Sequence, residues 1–427
     1  MNAAIIFGIL LVLMLTGMPI SISLGLTVLS FLFTMTEVPL ESVALKLFTG
    51  IEKFEIMAIP FFILAGNFLT HGGVAKRMIT FATSMVGHWY GGLGLAGVLA
   101  CALFAAVSGS SPATVVAIGS ILLPAMVRAG FPNKFGAGII TTAGALGILI
   151  PPSIVMVMYS VATNTSVGAL FMAGVVPGLA LAATLGGVTW YRARKFDYPR
   201  QPKASLAARV KAFRESVWGL LLIVVVMGGI YTGIFTPTEA ATMSAMYAFI
   251  VAVFVYRDMP LKDVPKVLLN SANMSAMLLY ISTNAVLFSV IMTNENIPQA
   301  LADWMLGHGL GVIAFLLAVN VLLLLAGNFM EPSSIVLIFA PILFPVAMKL
   351  GIDPVHFGII MVVNMEVGMC HPPVGLNLYV ASGITRMGIT ELTVAVWPWL
   401  LSMLVFLGVV TYWPALSLWF PRMLGVM

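Results

Sequence analysis

Long runs of residues without a charged side chain dominate this chain. Asp, Glu, Lys and Arg are absent from six runs, residues 1–36, 78–127, 135–191, 216–238, 304–330 and 392–421. Each run meets or exceeds the roughly 20 apolar residues that a helix needs to cross about 30 Å of hydrocarbon, and several are long enough for two crossings. The pattern predicts about ten to twelve transmembrane helices. Because apolar runs fill the whole length, residues 1–427 are predicted to form one all-α polytopic membrane domain.

Clusters of Pro, Gly and Ser interrupt two of the apolar stretches at equivalent places. The first stretch is AAVSGSSPATVVAIGSILLPAM at residues 105–126, and the second is LLAGNFMEPSSIVLIFAPILFPVAM at residues 324–348. Pro removes a backbone donor, and Gly and Ser loosen the helical ladder, so neither stretch is expected to remain a straight spanning helix. Each is predicted to form a re-entrant helical hairpin.

Two further apolar stretches carry a Pro-Pro pair in their middle. These are GALGILIPPSIVMVMYSVATNTS at residues 144–166 and VGMCHPPVGLNLYVASGIT at residues 367–385. A Pro-Pro pair leaves carbonyls without helical partners, which costs several kcal/mol for each group in lipid unless another group binds it. Each stretch is therefore predicted to be a broken helix whose free carbonyls bind a cation.

Residues 1–190 and 216–427 resemble two copies of one unit, joined by a basic segment at residues 191–215. The matched features lie 220–222 residues apart: Gly87-His88 with Gly307-His308, Pro124 with Pro345, Phe135-Gly136 with Phe357-Gly358, Pro151-Pro152 with Pro372-Pro373, and Pro177 with Pro398. Two repeats related by pseudo-symmetry can open one site alternately to each side of a membrane, so the pattern indicates a transporter. The repeats are expected to be inverted if each crosses an odd number of times. A duplication that only enlarged a helix bundle is the alternative.

Composition and charge support a membrane protein and exclude other classes. The chain is 61% hydrophobic and 8% charged, against about 25% charged residues in soluble domains. Eight of its 20 Lys and Arg residues lie between Arg192 and Arg214, where they favour a cytoplasmic connecting loop. The net charge of +5 is therefore assigned to topology and not to nucleic acid. No P-loop or HExxH motif is present, so neither ATP hydrolysis nor metalloprotease chemistry is expected.

The breaks suit a site for a cation beside an anion, because broken helices expose both carbonyl and amide ends. One Na+ ion is predicted to bind Ser108, Gly109, Ser110 and Ser111 together with carbonyls from Gly147 to Pro151. A second Na+ ion is predicted to lie between Gly327-Asn328 and the turn from Gly368 to Pro372. For any one of these residues, close helix packing is the alternative role.

Ionisable residues inside apolar segments are functional candidates by default. Glu331 and Glu366 are expected to tune cation affinity, take up a proton or pair with a neighbour, since a carboxylate repels an anionic substrate. Glu239 is expected to lie in the first turn of a helix. His371 is a candidate ion-site or substrate donor, while Cys101 and Cys370 are expected to be buried thiols without a redox partner.

Five phrases carry a family resemblance over essentially the whole chain. They are SGSSPATVVAIGSILLPAM, GILIPPSIVMVMY, GIYTGIFTPTEAA, FMEPSSIVLIFAPILFPVA and GMCHPPVGLNLYVASGIT. The chain resembles the large membrane subunit of tripartite ATP-independent periplasmic (TRAP) transporters, and within that family its C4-dicarboxylate branch.

The resemblance implies an elevator-type, Na+-coupled importer of an organic acid anion in the bacterial inner membrane. It also implies a small four-helix membrane subunit and a periplasmic substrate-binding protein as partners. Carried onto this chain, it places the first Na+ site as above and the second around Gly327, Gly368 and His371. Relatives carry Thr where this chain has His371, so one hydroxyl ligand is absent here.

The resemblance also places a substrate carboxylate between the hairpin tips, near Pro112, Thr114, Ser333, Ser334 and Asn377. Two other functions are weighed against this one. The first is a passive anion channel, or another cation-coupled transporter that works without a binding protein. The second is an intramembrane enzyme or assembly scaffold, for which no nucleophile or metal cluster is visible in the sequence.

Overall fold

The computed structural model describes residues 2–35, 40–49, 52–372 and 375–426. Within these ranges the chain is helical and has no β-strand, which confirms the predicted all-α class. In chain order the α-helices are α1 (Asn2–Leu15), α2 (Ile20–Met35), α3 (Leu40–Thr49), α4 (Ala58–His71), α5 (Val74–Val86), α6 (Gly92–Ser108), α7 (Ser111–Arg128), α8 (Asn133–Gly144), α9 (Ile154–Thr163), α10 (Val167–Lys195), α11 (Leu206–Tyr231), α12 (Pro237–Ile250), α13 (Val264–Asn294), α14 (Ile297–Gly307), α15 (Val312–Gly327), α16 (Pro332–Lys349), α17 (Pro354–Cys370), α18 (Leu376–Thr385), α19 (Ile389–Tyr412) and α20 (Ala415–Met423).

The helices have the lengths expected of a polytopic membrane protein. In the described chain, eight helical stretches of at least 18 residues are apolar enough to cross a bilayer, and six apolar helices of 10–17 residues accompany them. Helices α6, α9, α15 and α17 belong to the shorter group and adjoin the predicted breaks. The polytopic class is therefore confirmed, whereas a total of ten to twelve crossings stays a prediction.

The order of helices recurs at the spacing read from the sequence. Helices α7 and α16 begin at Ser111 and Pro332, 221 residues apart, and α10 and α19 begin at Val167 and Ile389, 222 residues apart. Each repeat contains a hairpin of two helices, α6–α7 or α15–α16, followed by a broken helix, α8–α9 or α17–α18. Both predicted hairpins and the first break are present, and at the second break α17 ends at Cys370 and α18 begins at Leu376.

The equivalent helices α10 and α19 run in opposite directions. Trp399, in the first half of α19, donates a 2.9 Å hydrogen bond from Nε1 to Thr189 Oγ1, near the end of α10. At the other end, Val426, which follows α20, lines one cavity together with Val167, the first residue of α10. Because the same helix of each repeat points the opposite way, the two repeats are inverted.

The bounds of the basic segment need correction. Residues 191–215 were expected to be a loop, but α10 continues to Lys195 and α11 begins at Leu206, so only residues 196–205 lie outside the helices. The matched prolines Pro177 and Pro398 both lie inside continuous helices. Neighbouring helices and Ser or Thr side chains can satisfy the carbonyl that an intramembrane Pro releases.

Two further sequence predictions, one for Glu239 and one for the cysteines, are confirmed. The side chain of Thr236 accepts a hydrogen bond from the Glu239 amide, and Glu239 accepts one from the Thr236 amide, which forms a capping box at the start of α12. Glu239 thus lies in the first turn of a helix, as expected. Cys101 and Cys370 are free and fully buried.

Glycines allow the second hairpin to approach the second broken helix closely. A Cβ atom added to Gly327, at the end of α15, would lie 3.0 Å from Gly368 Cα in α17. A Cβ atom added to Gly368 would lie 3.1 Å from Gly327 Cα. An added Cβ atom at either position would be closer than ordinary van der Waals contact, and small residues of this kind let membrane helices approach closely.

Replacing Gly327 with Ala is expected to lower the free energy of unfolding by about 1–3 kcal/mol, because the added methyl overpacks a backbone contact. The loss should appear as a lower melting temperature of the detergent-purified protein. Gly187→Ala is the matched control, since Gly187 also lies in a helix but has no atom within 4 Å of its Cβ position. Equal melting temperatures for the two variants would contradict the close approach.

Candidate functional site

The tips of both hairpins line one cavity. Its volume is about 500 Å³. Helices α4 and α13 supply the opposite wall. The lining residues are Ile63, Gly66, Asn67, Thr70, Ser108, Gly109, Ser110, Ser111, Pro112, Ala113, Val116, Ile148, Ile154, Val155, Met274, Met277, Leu278, Glu331, Pro332, Ser333, Met369 and Leu376.

The first hairpin tip is a two-residue connection between α6 and α7. Gly109 has φ +61°, a left-handed conformation that suits Gly, and its amide donates to Ala105 O at 3.1 Å to close α6. Ser110 is extended and begins α7 without making a side-chain capping bond within the described chain. The Ser108 and Thr114 hydroxyls contact each other at 3.0 Å, and the Thr114 hydroxyl donates to Ser110 O at 2.8 Å.

The first break lies directly against this tip. In a continuous helix the amides of residues 151 and 152 would bond the carbonyls of Gly147 and Ile148, but both residues are Pro. The Ser153 hydroxyl replaces one of these donors by bonding Ile148 O at 2.6 Å, which leaves the Gly147 carbonyl without its helical donor. A Cβ atom on Gly147 would lie 2.5 Å from Ser110 O, so tip and break are in backbone contact.

Hydrogen bonds also join the first tip to the second broken helix. The Ser111 hydroxyl donates to Gly144 O at 2.9 Å, and Asn377 Nδ2 in α18 donates to Ser111 Oγ at 2.8 Å. Asn377 is fully buried, and its Oδ1 atom has no hydrogen-bond partner among the described residues. This network links the two repeats. It leaves the Asn377 Oδ1 atom beside the first tip without a hydrogen-bond partner among the described residues.

At the second hairpin tip, a carboxylate caps α16. Glu331 is the N-cap residue, and its Oε2 accepts from the Ser334 amide at 3.2 Å and from the Ser334 hydroxyl at 3.3 Å. Its Oε1 accepts from the Ser333 hydroxyl at 2.7 Å. The hydroxyls of Ser333 and Ser334 therefore both donate hydrogen bonds to the Glu331 carboxylate.

The second break brings the remaining predicted cation ligands together. The Gly327–Gly368 contact joins α15 to α17, and His371 Nδ1 lies 3.0 Å from Asn328 Oδ1. Pro373, the second residue of the Pro-Pro pair, lies outside the described residues. The four predicted ligands Gly327, Asn328, Gly368 and His371 thus share one location, and the His371 side chain there pairs with Asn328.

The residues around the breaks fit Na+ in their chemistry. Hard cations prefer oxygen ligands, and the first site offers serine hydroxyls, the Gly147 carbonyl and the buried Asn377 Oδ1 that lacks a partner. Glu331 is the one charged side chain among the cavity-lining residues of the described chain. An anion that enters this cavity meets a carboxylate and no Lys or Arg among those residues.

The predicted substrate residues separate into two groups. Pro112 and Ser333 line the cavity. Thr114, Ser334 and Asn377 are buried and engaged in the hydrogen bonds of the tips, and none of the three is part of the cavity lining. These three support the tips and do not face the cavity.

Several cavity residues were not found by sequence reasoning. Asn67 and Thr70 of α4, and Met274 and Met277 of α13, form the opposite wall. Asn67 Nδ2 donates to Ser271 Oγ of α13 at 2.7 Å. Their helices are continuous at this level, Gly66 of α4 included, so no helix break marks these residues in the sequence. Glu366, in contrast, is fully buried in α17, has both carboxyl oxygens unpartnered within the described chain, and does not line the cavity.

Comparisons with known proteins all give the same family for this chain. The family model described as the tripartite ATP-independent periplasmic transporter, DctM component, matches residues 7–416. The C4-dicarboxylate TRAP transporter large permease protein DctM of Rhodobacter capsulatus is 76% identical, with all of both chains covered. The Pseudomonas aeruginosa protein of the same name is 56% identical over 95% of each chain.

More distant relatives differ in the transported compound that their names give. The isethionate TRAP transporter permease protein DctMQ of Oleidesulfovibrio alaskensis is 43% identical over 97% of this chain and 66% of its own length. Among solved structures, the YdaH transporter of Alcanivorax borkumensis has a TM-score of 0.62 at 17% identity, covering 88% of this chain and 89% of that one. At that identity the likeness extends to the fold alone.

The bond between Asn377 and Ser111 is expected to couple the two repeats energetically. In a double-mutant cycle, Asn377→Ala and Ser111→Ala should show a coupling free energy of about 0.5–3 kcal/mol, because each change alone breaks the same buried hydrogen bond. Thermal unfolding of the purified protein measures the four stabilities. Ser120→Ala, on the exposed side of α7, is the control and should be additive with Asn377→Ala. Additivity at Ser111 as well would show that the bond is not formed.

Proposed function

Since the chain belongs to the DctM component family of tripartite ATP-independent periplasmic transporters, we propose that it is the large permease of a Na+-coupled importer of C4-dicarboxylates. It is a multi-pass protein of the bacterial inner membrane and a transporter, not an enzyme. The substrate class is proposed from the names of relatives that match 95–100% of this chain at 56–76% identity.

The charge of the cavity is the observation that supports Na+ coupling. A dicarboxylate brings two negative charges into a cavity whose lining already includes Glu331 and no Lys or Arg. Like charges at close range repel by several kcal/mol outside bulk water. Cations bound at the two breaks would offset this repulsion, so that Na+ and substrate bind best together and cross together.

An elevator motion fits the way the helices are joined. The hairpins and broken helices of both repeats bond to one another, through Asn377 and Ser111 and through a 3.4 Å contact of Cys370 Sγ with Thr141 O. We assign them to one moving unit. Helices α4 and α13 cover the cavity from the other side and are assigned to the scaffold. Sliding of the unit along this wall would expose the cavity first to one side of the membrane and then to the other.

Two partners complete the proposed system. A periplasmic substrate-binding protein would deliver the dicarboxylate, and a small four-helix membrane subunit would enlarge the scaffold. Both follow from the family, whose large permeases act in three-part systems. The DctMQ relative, of which this chain spans 66%, is consistent with a large permease that also occurs as part of a longer chain.

Reconstituted transport tests the proposal. In proteoliposomes that contain the chain and its membrane partner, uptake of radiolabelled succinate should require both the binding protein and an inward Na+ gradient. It should stop when external Na+ is replaced by K+. A passive channel would carry succinate without the binding protein and in either salt, and that result would overturn the proposal.

Removing hydroxyls at the first tip should weaken the coupling. The double variant Ser110→Val and Ser111→Val is expected to need about 10–100-fold more Na+ for half-maximal uptake, as is usual when metal ligands or their supports are lost. Ser120→Val is the control, because Ser120 is exposed on the same helix. The measurement is initial uptake rate against Na+ concentration at equal amounts of inserted protein. An unchanged Na+ dependence would remove these serines from the ion site.

A further inference from the structure

A lysine on the scaffold side binds the end of a broken helix of the moving unit. Lys53 Nζ donates to Val161 O at 2.5 Å, in the last turn of α9, and to the side chain of Asn164, its C-cap residue, at 2.7 Å. Lys53 directly precedes the 3-10 turn Phe54–Met57 that leads into α4. In that turn, Phe54 O accepts a 3.1 Å hydrogen bond from Thr238 Oγ1 of α12. The two bonds of Lys53 therefore join the scaffold to the moving unit.

The end of α9 needs such a donor. Val161 lies two residues before the last residue of α9, Thr163, so its carbonyl belongs to the last four, which have no amide partner within the helix. Asn164 then turns the chain with φ 56°. Carbonyl ends of helices carry partial negative charge, which a lysine ammonium stabilises. Lys53 thus supplies both a donor and a positive charge to this helix end.

The course of α10 places Lys53 at the periplasmic side of the molecule. Helix α10 begins at Val167, three residues after Asn164, and runs for 29 residues to the basic segment, whose charges favour the cytoplasm. The end of α9 therefore lies at the opposite side, and Lys53 lies with it. From there the apolar stretch Phe54–His71, which is long enough to cross a bilayer, leads toward the cytoplasm.

The substrate cavity lies nearer the cytoplasmic end of the scaffold. Its lining residues on α4 lie between Ile63 and Thr70, near the end of that helix. His71, the last residue of α4, shares a small cavity with Lys266 near the start of α13, so α13 begins on the cytoplasmic side. The lining residues of α13, from Met274 to Leu278, precede its midpoint. The conformation is therefore inward-facing.

The bonds of Lys53 are compatible with this conformation alone. Ile154, the first residue of α9, lines the substrate cavity, and α9 has 10 residues. At 1.5 Å per residue, Lys53 holds the moving unit about 15 Å from the cavity. A slide of the unit toward the periplasm carries the end of α9 away from Lys53. Hydrogen bonds do not extend beyond about 3.5 Å, so both bonds must break as the slide begins.

The second repeat has a different residue at the matching position. Helix α18 ends at Thr385, and Arg386 follows it with φ 56°, as Asn164 follows α9 222 residues earlier. The Asn164 side chain accepts a hydrogen bond from a lysine, whereas a guanidinium has no acceptor and repels one. The contact made by Lys53 is therefore specific to the first repeat and favours one of the two conformations.

We propose that Lys53 locks the inward-facing conformation and that its release from α9 is a step in the return of the cavity to the periplasmic side. This inference rests on the proposed elevator transport and adds to it a residue that sets the balance between the two conformations. Lys53 does not belong to the lining of the substrate cavity. It acts through α9 and is a positioning residue.

Accessibility of the cavity from each side of the membrane tests the lock without substrate or Na+. Val116 of α7 lines the cavity and is 43% exposed, so Val116→Cys supplies a reactive thiol there. The native Cys101 and Cys370 are fully buried. A membrane-impermeant maleimide is applied to inside-out and to right-side-out vesicles, and the ratio of the two labelling rates is measured. With Lys53 present, labelling is expected to be faster from the cytoplasmic side.

Two substitutions remove the lock from its two sides. Lys53→Met removes the ammonium but keeps a long side chain, and it should shift the ratio toward periplasmic labelling by about 10-fold or more, because charge-assisted hydrogen bonds are lost. Asn164→Gly tolerates the left-handed backbone but removes one acceptor, so it should shift the ratio in the same direction. Lys53→Arg keeps a charged donor and should retain most of the original ratio. Lys76→Met is the control, since Lys76 is exposed on α5.

The outcomes separate the lock from the proposed function. A ratio that stays one-sided and unchanged in both Lys53→Met and Asn164→Gly overturns the lock alone, as does an equal shift in Lys76→Met. Where Lys53→Met fails to insert, Asn164→Gly decides. Equal labelling from both sides with Lys53 present identifies an open channel, and that result overturns the proposed function together with the lock.

Discussion

The need to satisfy backbone groups away from water shapes this molecule more than any other constraint. In hydrocarbon, a carbonyl or amide without a partner costs several kcal/mol, and the chain interrupts four apolar segments all the same. Ser153 replaces a donor that Pro152 lacks, and Gly109 closes α6 before the first tip turns. The Gly147 carbonyl, which lacks its helical donor, lies against the first tip beside the cavity.

Close backbone contact is the second consequence of the same constraint. A hairpin tip can contact a helix break this closely only where no Cβ atom lies between the two backbones. Gly147 and Gly327 occupy these positions. Packing of this kind is tight and has little tolerance for added volume. The polar groups are therefore held in place by the surrounding helices, and Asn377 extends that support from one repeat to the other.

The sequence predicted those parts of the site that local chemistry determines. Pro, Gly and Ser clusters mark the hairpins and breaks, because each of these residues changes what the backbone can bond. Asn67 and Met274 were missed since they lie on continuous helices, where facing the cavity depends on how distant segments pack. The same dependence explains why Thr114 and Asn377 are not part of the cavity lining. Local chemistry thus located the hairpin tips and the breaks, while the α4 and α13 residues of the cavity needed tertiary structure.

Inverted repeats give the two halves similar backbones but do not give them equal charge. The first tip presents serine hydroxyls, while the second uses Glu331 to cap its own helix start and pairs His371 with Asn328. The inverted repeats thus relate the two tips in backbone, whereas the cavity lining among the described residues carries a single carboxylate, which the second repeat alone contributes.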